Sequence, residues 1–322
     1  MKIIKAIAFA CMILFTLIAG KCFVVSSFDN NDDDDDREGL TIVLTNAETT
    51  SSEVVQSLTQ TLTVADIASQ SAQYVNDVVV SDPLSYSCDN PSGVIILTIK
   101  DLDRSNRVSV GDDLLLRYTN CSADNVIVNG DLMISVLDAK GIYIGHFESG
   151  SDWLFTLSVN ASSFKVRTEN KVFIVNGEME IALQFNATTA LLETKITNNT
   201  LALDSGSQSI ISAMDISQLI NFSIVPSSYS LTINSLKISS GAQSGTFNAT
   251  TKSYPLSGME LLDLSEYFID LHLPENGVIN ISGKNSNADV SIMPDEWVSI
   301  DIDIDGDSIS DAVISSTWSE IN

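Results

Sequence analysis

The sequence predicts a mostly β protein, in which an antiparallel meander forms a curved sheet, an open barrel or a sandwich, with one N-terminal amphipathic helix packed on it. From Gly93 onward, at least a dozen short segments alternate apolar and polar residues between turn residues, as half-buried strands do. One earlier segment has apolar residues at helical spacing and contains no Gly or Pro. The hydrophobic fraction of 44% is sufficient for a core.

The first residues, 1–27, have the pattern of a secretory signal peptide. Lys2 and Lys5 form a positive n-region, and the apolar run Ala6–Gly20 that follows is short for a membrane span. An uncleaved anchor is the alternative. Cys22 is a candidate lipidation site, although Lys21 occupies the position where lipoprotein signals have a small residue. We therefore expect an exported protein, located in the periplasm, on the outer-membrane surface or outside the cell.

Residues 28–39 are predicted to form an acidic disordered tether. They contain the aspartate run Asp32–Asp36, whose charges repel one another and cannot pack into a core. A calcium-binding role for this run is the alternative, but nothing in it defines a ligand geometry.

Residues 40–322 are predicted to form a single large β-rich domain, with the helix near 47–77. Ser51 or Ser52 is a candidate N-terminal cap, with Glu53 in the first turn. The apolar residues at helical spacing are Val54, Val55, Leu58, Leu62, Ala65 and Ala68.

Turn residues divide the strand region into predicted hairpins. The segments GVIILTIKD and DDLLLRYTNC flank one turn, and others are expected at the Asp-Ala-Lys-Gly from Asp138, at Asn160 and at Asn276-Gly277. The segments VIVNGDLMISV and FIVNGEMEIAL resemble each other, which suggests repeated hairpins. One face of the strands is rich in Ser, Thr, Asn and Asp, so the helix or a second sheet must cover the apolar face.

Cys88 and Cys121 are predicted to form a disulfide. Cys11 lies in the apolar run of the signal, and Cys22 is either removed or lipidated, so an exported protein keeps an even pair. A bridge between them would stabilise the fold by about 3–4 kcal/mol in the chain-entropy estimate. Two unrelated buried thiols are the alternative.

The stretch DLDRSNRVSVGD matches the ligand spacing of an EF-hand calcium loop, although strands rather than helices flank it. Such a loop takes oxygen ligands from positions 1, 3, 5, 7, 9 and 12 and turns sharply at position 6. Asn106 takes the turn position, and Asp112 replaces the usual bidentate Glu, which weakens the site. The predicted ligands are Asp101, Asp103, Ser105, the carbonyl of Arg107, Ser109 and Asp112.

The stretch DIDGDSISD resembles the calcium loops of thrombospondin type 3 repeats and dockerin-like modules. The resemblance implies as ligands Asp303, Asp305, Asp307, the carbonyl of Ile309 and Asp311. Ser308 stands where those loops usually have Gly. Ile314, at the twelfth position, cannot bind a cation, so Asp301 or a water would complete the shell.

Both acidic stretches have a second interpretation as polar hairpin turns. Asp, Asn, Gly and Ser are common in tight turns, because they form local hydrogen bonds and tolerate positive φ. A turn does not explain alternating carboxylates, which repel one another when no cation lies among them. We therefore expect structural calcium, Ca²⁺, with dissociation constants of about 10⁻⁴–10⁻³ M, as in extracellular modules.

Several segments together resemble an uncharacterised family of β-rich exported or envelope proteins of proteobacteria. They are the export signal, the helix near Asn46, and the segments GDDLLLRYTNC, VNGDLMISV, GVINISGKNSNADVSI and IDIDIDGDSISDAVISSTWSEI. The resemblance implies a Cys88–Cys121 bridge and an envelope location, and no activity comes with it.

Composition and motifs argue against several functions. With 42 acidic and 16 basic residues and a net charge of -26, the chain lacks the basic patch that nucleic acid or anionic lipid requires. Two histidines, His146 and His272, cannot form a His-rich metal site, and the motifs G-x-S-x-G, phosphate loop and dinucleotide fingerprint are absent from the sequence. Candidates for a sugar-binding face, with core packing as the alternative, are Trp153, Trp297 and Trp318.

The expected function is that of a non-enzymatic exported envelope protein with a structural or binding role, stabilised by calcium. A periplasmic carrier of a hydrophobic ligand is the first alternative, and a carbohydrate-active enzyme is the second. The partner would be a protein, glycan or lipid ligand, and contact with a membrane would occur only through a lipid anchor.

Overall fold

A computed structural model describes residues 39–73, 83–88, 93–106, 108–123, 126–140, 151–167, 172–206, 208–223, 227–240, 243, 245–252, 255–260, 276–293 and 297–317. Within these ranges lie one helix and fifteen strands of one antiparallel sheet, so the predicted mostly β fold class is confirmed. The elements are α1 (Ala47–Gln73), β1 (Leu84–Ser87), β2 (Val94–Lys100), β3 (Asp113–Ala123), β4 (Val126–Lys140), β5 (Trp153–Arg167), β6 (Val172–Asn186), β7 (Leu191–Asp204), β8 (Gln208–Asn221), β9 (Ser227–Ser240), β10 (Gly245–Thr251), β11 (Leu256–Glu260), β12 (Gly277–Gly283), β13 (Ser286–Ile292), β14 (Trp297–Asp303) and β15 (Ala312–Thr317). The predicted signal peptide, residues 28–38 of the predicted tether and residues 74–77 of the predicted helical segment lie outside the described ranges.

The strands follow one another along the sheet almost in chain order. From β1 to β10 each strand pairs with the next, and the path then continues through β12 to β15. The sheet branches at β9, whose N-terminal half pairs with β11 and whose C-terminal half pairs with β10. Among the described residues, β1 and β15 do not pair with each other, so the sheet is not closed there.

The sheet curves around α1. The helix contacts β4, β6, β7 and β14, which are far apart along the sheet, so the sheet must bend to reach it. The six apolar residues predicted for the helix, 54, 55, 58, 62, 65 and 68, are all at most 1% exposed. The helix therefore fills the concave side of the sheet, and the prediction of a helix packed on the sheet is correct.

The helix begins before its predicted cap, at Ala47. Ser51 and Ser52 lie within the first turns, so neither caps the start. The chain turns into the helix at Asn46, whose side chain accepts a 2.8 Å hydrogen bond from the N–H of Val43. The hydroxyl of Ser51 donates instead to the carbonyl of Ala47 (2.7 Å), so this buried hydroxyl has a hydrogen-bond partner within the helix.

Long strands replace several predicted hairpins. Asn160 lies inside β5, and Asp138–Lys140 is the last part of β4, so the turn predicted at Asn160 is wrong and the Asp-Ala-Lys sequence is strand. The predicted hairpin turn at Asn276-Gly277 is also wrong, because Asn276 pairs with Ser257 and Gly277 begins β12. The predicted pair GVIILTIKD and DDLLLRYTNC is correct, and its segments form β2 and β3.

The two similar segments are β4 and β6, and their Asn-Gly pairs form β-bulges rather than turns. Gly130 has φ 111° and Gly177 has φ 126°, which lie in the region that favours glycine. The side chain of Asn176 accepts a 2.7 Å hydrogen bond from the N–H of Ser163, a left-handed residue on β5. Register breaks occur in each pairing from β3 to β7 and in the pairing of β8 with β9, and such bulges bend a sheet.

The predicted disulfide between Cys88 and Cys121 is confirmed. Cys88 directly follows the four-residue strand β1, and Cys121 lies in β3. Because β2 lies between those two strands, the bridge fastens the short end strand to its second neighbour.

Candidate metal centres

Two acidic loops connect neighbouring strands near the two ends of the sheet path. The first acidic loop, residues 101–112, joins β2 to β3, and the second acidic loop, residues 303–311, joins β14 to β15. In each loop, three carboxylates offer oxygen atoms that all lie within 4.8 Å of one another. The groups are Asp101, Asp103 and Asp112 in the first loop, and Asp303, Asp305 and Asp311 in the second.

Backbone N–H groups hold the outer carboxylates of the first loop. Asp101 accepts hydrogen bonds from the N–H groups of Ser105 (3.1 Å) and Asn106 (2.8 Å). Asp112 is fully buried and accepts from the N–H groups of Leu102 (2.8 Å) and Ser109 (2.8 Å). The loop therefore closes on itself through its first and last residues.

Two serines bridge the carboxylates of the first loop. The Ser109 hydroxyl donates to Oδ2 of Asp103 (2.9 Å) and to Oδ2 of Asp112 (3.0 Å). The N–H of Ser105 donates to Oδ1 of Asp103 (2.9 Å). Hydrogen bonds from the Ser105 side chain and N–H, then from Ser109, lower the pKa of Asp103 to about 2. The predicted ligands Ser105 and Ser109 thus lie beside the carboxylates, while Arg107 lies outside the described residues.

In the second loop, Asp303 takes the place of Asp101. It is 7% exposed and accepts from the N–H groups of Gly306 (2.7 Å) and Ser308 (2.8 Å). Desolvation raises its pKa, but the N–H groups of Ser308 and Gly306, followed by the Asn287 side chain, outweigh it and the net pKa is lowered. The third carboxylate, Asp311, accepts from the N–H of Ile304 (2.8 Å).

Not every predicted ligand joins the second group. Asp307 is exposed, accepts from the N–H of Ile309 (2.8 Å), and does not belong to the three grouped carboxylates. Asp301 is also outside the group, because it lies on β14 between Asp289 and Val313 of the neighbouring strands.

Both loops turn through left-handed residues at their fourth and sixth positions. The values of φ are 58° at Arg104 and 61° at Asn106, and 77° at Gly306 and 69° at Ser308. Asn106 therefore takes the predicted turn, and Ser308 adopts the conformation usually given to Gly. The left-handed turn at the fourth position was not predicted; Gly306 is a sequence signal for it in the second loop, whereas Arg104 gives none in the first.

The third carboxylate comes from a different position in each loop. In the first loop it is the twelfth residue, Asp112, and the ninth residue is Ser109. In the second loop it is the ninth residue, Asp311, because the twelfth is the β15 residue Ile314. The two loops therefore have the grouped carboxylates and the turns at the same positions in their first six residues, but take the third carboxylate of the group from different positions.

Neither group is neutralised by a basic side chain of the described residues. The ion pairs found there join other carboxylates, such as Asp113 with Lys100 and Asp131 with Arg117. Clustered carboxylate oxygens with serine hydroxyls are hard ligands, which suit Ca²⁺ and Mg²⁺, whereas zinc and copper favour His and Cys. The arrangement can therefore bind a divalent cation through oxygen atoms.

A scan against protein-family models, a search of curated proteins and a search of solved structures each found no match. Within the described part of the chain, no helix has both the length and the apolar character needed to cross a lipid bilayer.

Two of the remaining predicted residues, Trp153 and Trp297, lie in the described part of the chain. Trp153 is 5% exposed and stacks on Phe185 with 5.8 Å between ring centroids, so it packs in the core. Trp297 is 51% exposed at the start of β14. The other candidates, His146, His272, Trp318 and Cys22, lie outside the described residues.

Proposed function

We propose that this chain is a non-enzymatic exported envelope protein with a structural or binding role, whose two acidic loops each bind a calcium ion that stabilises the sheet. The observation that carries this proposal is the grouping of three un-neutralised carboxylates within 4.8 Å in both loops. The same grouping recurs in two separate hairpins, and a divalent cation would convert the repulsion between like charges at this separation into attraction.

Calcium suits these loops better than magnesium does. The candidate ligands lie in polar loops and include exposed residues such as Asp103 and Asp305, and calcium accepts irregular sets of six to eight oxygens. Magnesium requires near-ideal octahedral geometry. The bound ion would replace the repulsion within each group by attraction and would hold β2 to β3 and β14 to β15.

Export is proposed from the N-terminal pattern and is supported by the disulfide. Disulfides persist in oxidising compartments and are rare in the cytosol, and Cys88 and Cys121 are bridged. Membership of the β-rich exported family of proteobacteria is part of the same proposal. Lipidation at Cys22 remains a prediction that mass spectrometry of the mature protein would test.

The structural role is placed before the carrier role because of what occupies the concave side of the sheet. A carrier of a hydrophobic ligand would need an apolar cavity beside α1. The side chains there are those of the helix itself, with Val54, Leu58 and Ala65 fully buried.

Thermal unfolding in EDTA and in calcium tests the proposal. With dissociation constants of about 10⁻⁴–10⁻³ M, about 10 mM calcium should stabilise the fold by about 1.4–2.7 kcal/mol per site. Asp112→Asn and Asp303→Asn should each reduce the shift, and the matched control Asp204→Asn, at the last residue of β7, should keep it. A wild-type protein that melts identically in EDTA and in calcium would contradict the proposal.

A further inference from the structure

A third candidate site, separate from the two acidic loops, lies on the solvent-facing side of the sheet at the branch of β9. A cavity of about 490 Å³ opens there among residues of β7, β8, β9 and β11 and Asn276, which directly precedes β12. Its volume falls within the roughly 300–1,000 Å³ of small-molecule sites. None of the described residues that line it belongs to an acidic loop.

Strand pairing places one row of lining residues side by side. Leu219 of β8 is paired with Ser230 of β9, Ser230 with Ser257 of β11, and Ser257 with Asn276, just before β12. These four side chains therefore lie on one face of the sheet. Directly paired residues of an antiparallel sheet have adjacent Cβ atoms, so the row forms a continuous strip. The strip exists because β11, rather than β10, pairs with this half of β9.

A second row lies beside the first. Leu191 is paired with Asn221, and Asn221 with Ser228. Leu191 and Leu219 are therefore diagonal neighbours, and Leu219 is 38% exposed on a face whose other residues are mostly polar. The two leucines give the cavity a small apolar floor.

Several polar groups around that floor have no partner among the described residues. The hydroxyls of Ser228 and Ser230 make no hydrogen bond there, and neither does the side-chain NH₂ of Asn221 or Asn276. The carbonyl oxygens of the two amides are engaged, since Asn221 accepts from Ser223 and Asn276 accepts from Ser257 (2.8 Å). The free amide groups are thus held in orientation with donors available to a ligand.

The chemistry of the lining defines the class of ligand. The described lining residues carry no charge, and the chain has a net charge of -26, so an anion is disfavoured. Five of the nine described lining residues are Ser or Asn, which leaves too many polar groups for an apolar ligand. Hydroxyl and amide groups around a small apolar floor match a neutral sugar, which has hydroxyls at its rim and C–H groups on its face.

We propose that this cavity binds a neutral saccharide, with Asn221, Ser228, Ser230 and Asn276 as hydrogen-bonding groups and Leu191 and Leu219 beneath the sugar ring. The proposal does not depend on calcium in the acidic loops.

Saturation-transfer NMR on the mature protein tests the proposal. The probes are glucose, galactose, mannose, N-acetylglucosamine and their β1,4-linked dimers and trimers, at about 10 mM, with EDTA present. Glucuronic acid and a fatty acid serve as the charged and apolar comparison probes.

The variants are Ser230→Tyr and Ser228→Tyr, which fill the cavity with a residue that strands favour. Ser299→Tyr is the matched control, since Ser299 is half-buried on the same side of the sheet, in β14. Circular dichroism and the melting temperature establish that each variant is folded.

At least one neutral saccharide should bind the wild-type protein and the control, and each filling variant should weaken that binding by at least about tenfold. Three results would overturn the proposal: no neutral saccharide in the panel binds, both filling variants bind as the wild type does, or only the charged or apolar probe binds. Because EDTA is present, failure of the calcium proposal would leave these results interpretable.

Discussion

The N–H of Ser308 donates a 2.8 Å hydrogen bond to Oδ2 of Asp303, five residues earlier in the second acidic loop. This bond requires Ser308 to adopt φ 69°, a left-handed conformation that costs a non-glycine residue free energy. Glycine adopts the same conformation without that penalty, so Ser308→Gly should stabilise the protein by about 0.5–1 kcal/mol and tighten calcium binding. Urea unfolding with and without calcium measures both effects.

The matched control for that prediction is Ser310→Gly, in the same loop but without positive φ. Ser310→Gly adds the same conformational entropy to the unfolded chain but relieves no backbone strain in the folded state, so it should destabilise the protein. Equal effects of the two substitutions would show that the conformation of Ser308 has no energetic importance.

Protonation of the acidic loops should destabilise the calcium-free protein between about pH 4 and pH 2. The folded pKa of Asp103 is about 2, below its ordinary value of 3.8, and that of Asp303 is also lowered. A lowered folded pKa contributes stability that is present above the unfolded pKa and is lost as the pH falls through the folded pKa. Urea unfolding in EDTA from pH 5 to pH 2 measures the slope.

Asp103→Asn isolates the contribution of one carboxylate to that slope. Its stability should fall less steeply with pH than that of the wild type. Identical slopes for Asp103→Asn and the wild type would show that the hydrogen bonds of Asp103 do not lower its pKa.

Part of this architecture is readable from the sequence because the decisive residues are local. The ligand spacing places Asp101 and Asp103 in one turn, and the 3.6-residue period places Val54 and Leu58 on one buried face. The Asn-Gly pair at Gly177 could not be read correctly, because turns and bulges both use glycine at positive φ. Which of the two forms depends on the pairing of distant strands.

Which carboxylates form the group in the second acidic loop also depends on turns and strand pairing that the sequence does not reveal. The resemblance to thrombospondin type 3 and dockerin-like loops implied Asp307 as a ligand, but the sharp turns at Gly306 and Ser308 direct that side chain to an Asx-type bond with the N–H of Ile309 instead. Asp311 joins because its own N–H bonds to Ile302 at the end of β14 (2.8 Å), which is a consequence of hairpin pairing. The branch of β9 likewise depends on pairing over a long sequence separation and leaves no local signal.

The bulge at Gly177 should tolerate no side chain. A Cβ atom there would lie 2.4 Å from the carbonyl oxygen of Thr200, and φ is 126°. Gly177→Ala should therefore destabilise by about 2–4 kcal/mol, from backbone strain and overpacking together. Gly206→Ala is the control, since φ is 109° but nothing lies within 4 Å of the added atom. Chemical denaturation should show a larger loss of unfolding free energy for Gly177→Ala than for Gly206→Ala. Equal losses would show that the close packing at the Gly177 bulge is not important for the stability of the sheet.

The helix is fastened to β3 by a buried hydrogen bond of 2.7 Å between the hydroxyls of Ser71 and Tyr118. Burial raises the pKa of Tyr118 to about 12. Tyr118→Phe should cost about 1 kcal/mol, because the ring still packs on Phe164 and Ser71 still donates to its own helix. Urea unfolding measures the cost, and the phenol absorbance of the wild type should include a late titration, near pH 12, that is absent from Tyr118→Phe. No loss of stability together with no late titration would mean that the hydroxyl pair is not formed.

Equilibrium dialysis against radioactive calcium tests the central claim most directly, because it counts ions without relying on stability. The wild-type chain should bind two calcium ions, Asp112→Asn and Asp303→Asn one each, and the double variant none, while Asp204→Asn should bind two. No calcium bound to folded wild-type protein at millimolar concentration, or full binding by the double variant, would contradict the claim.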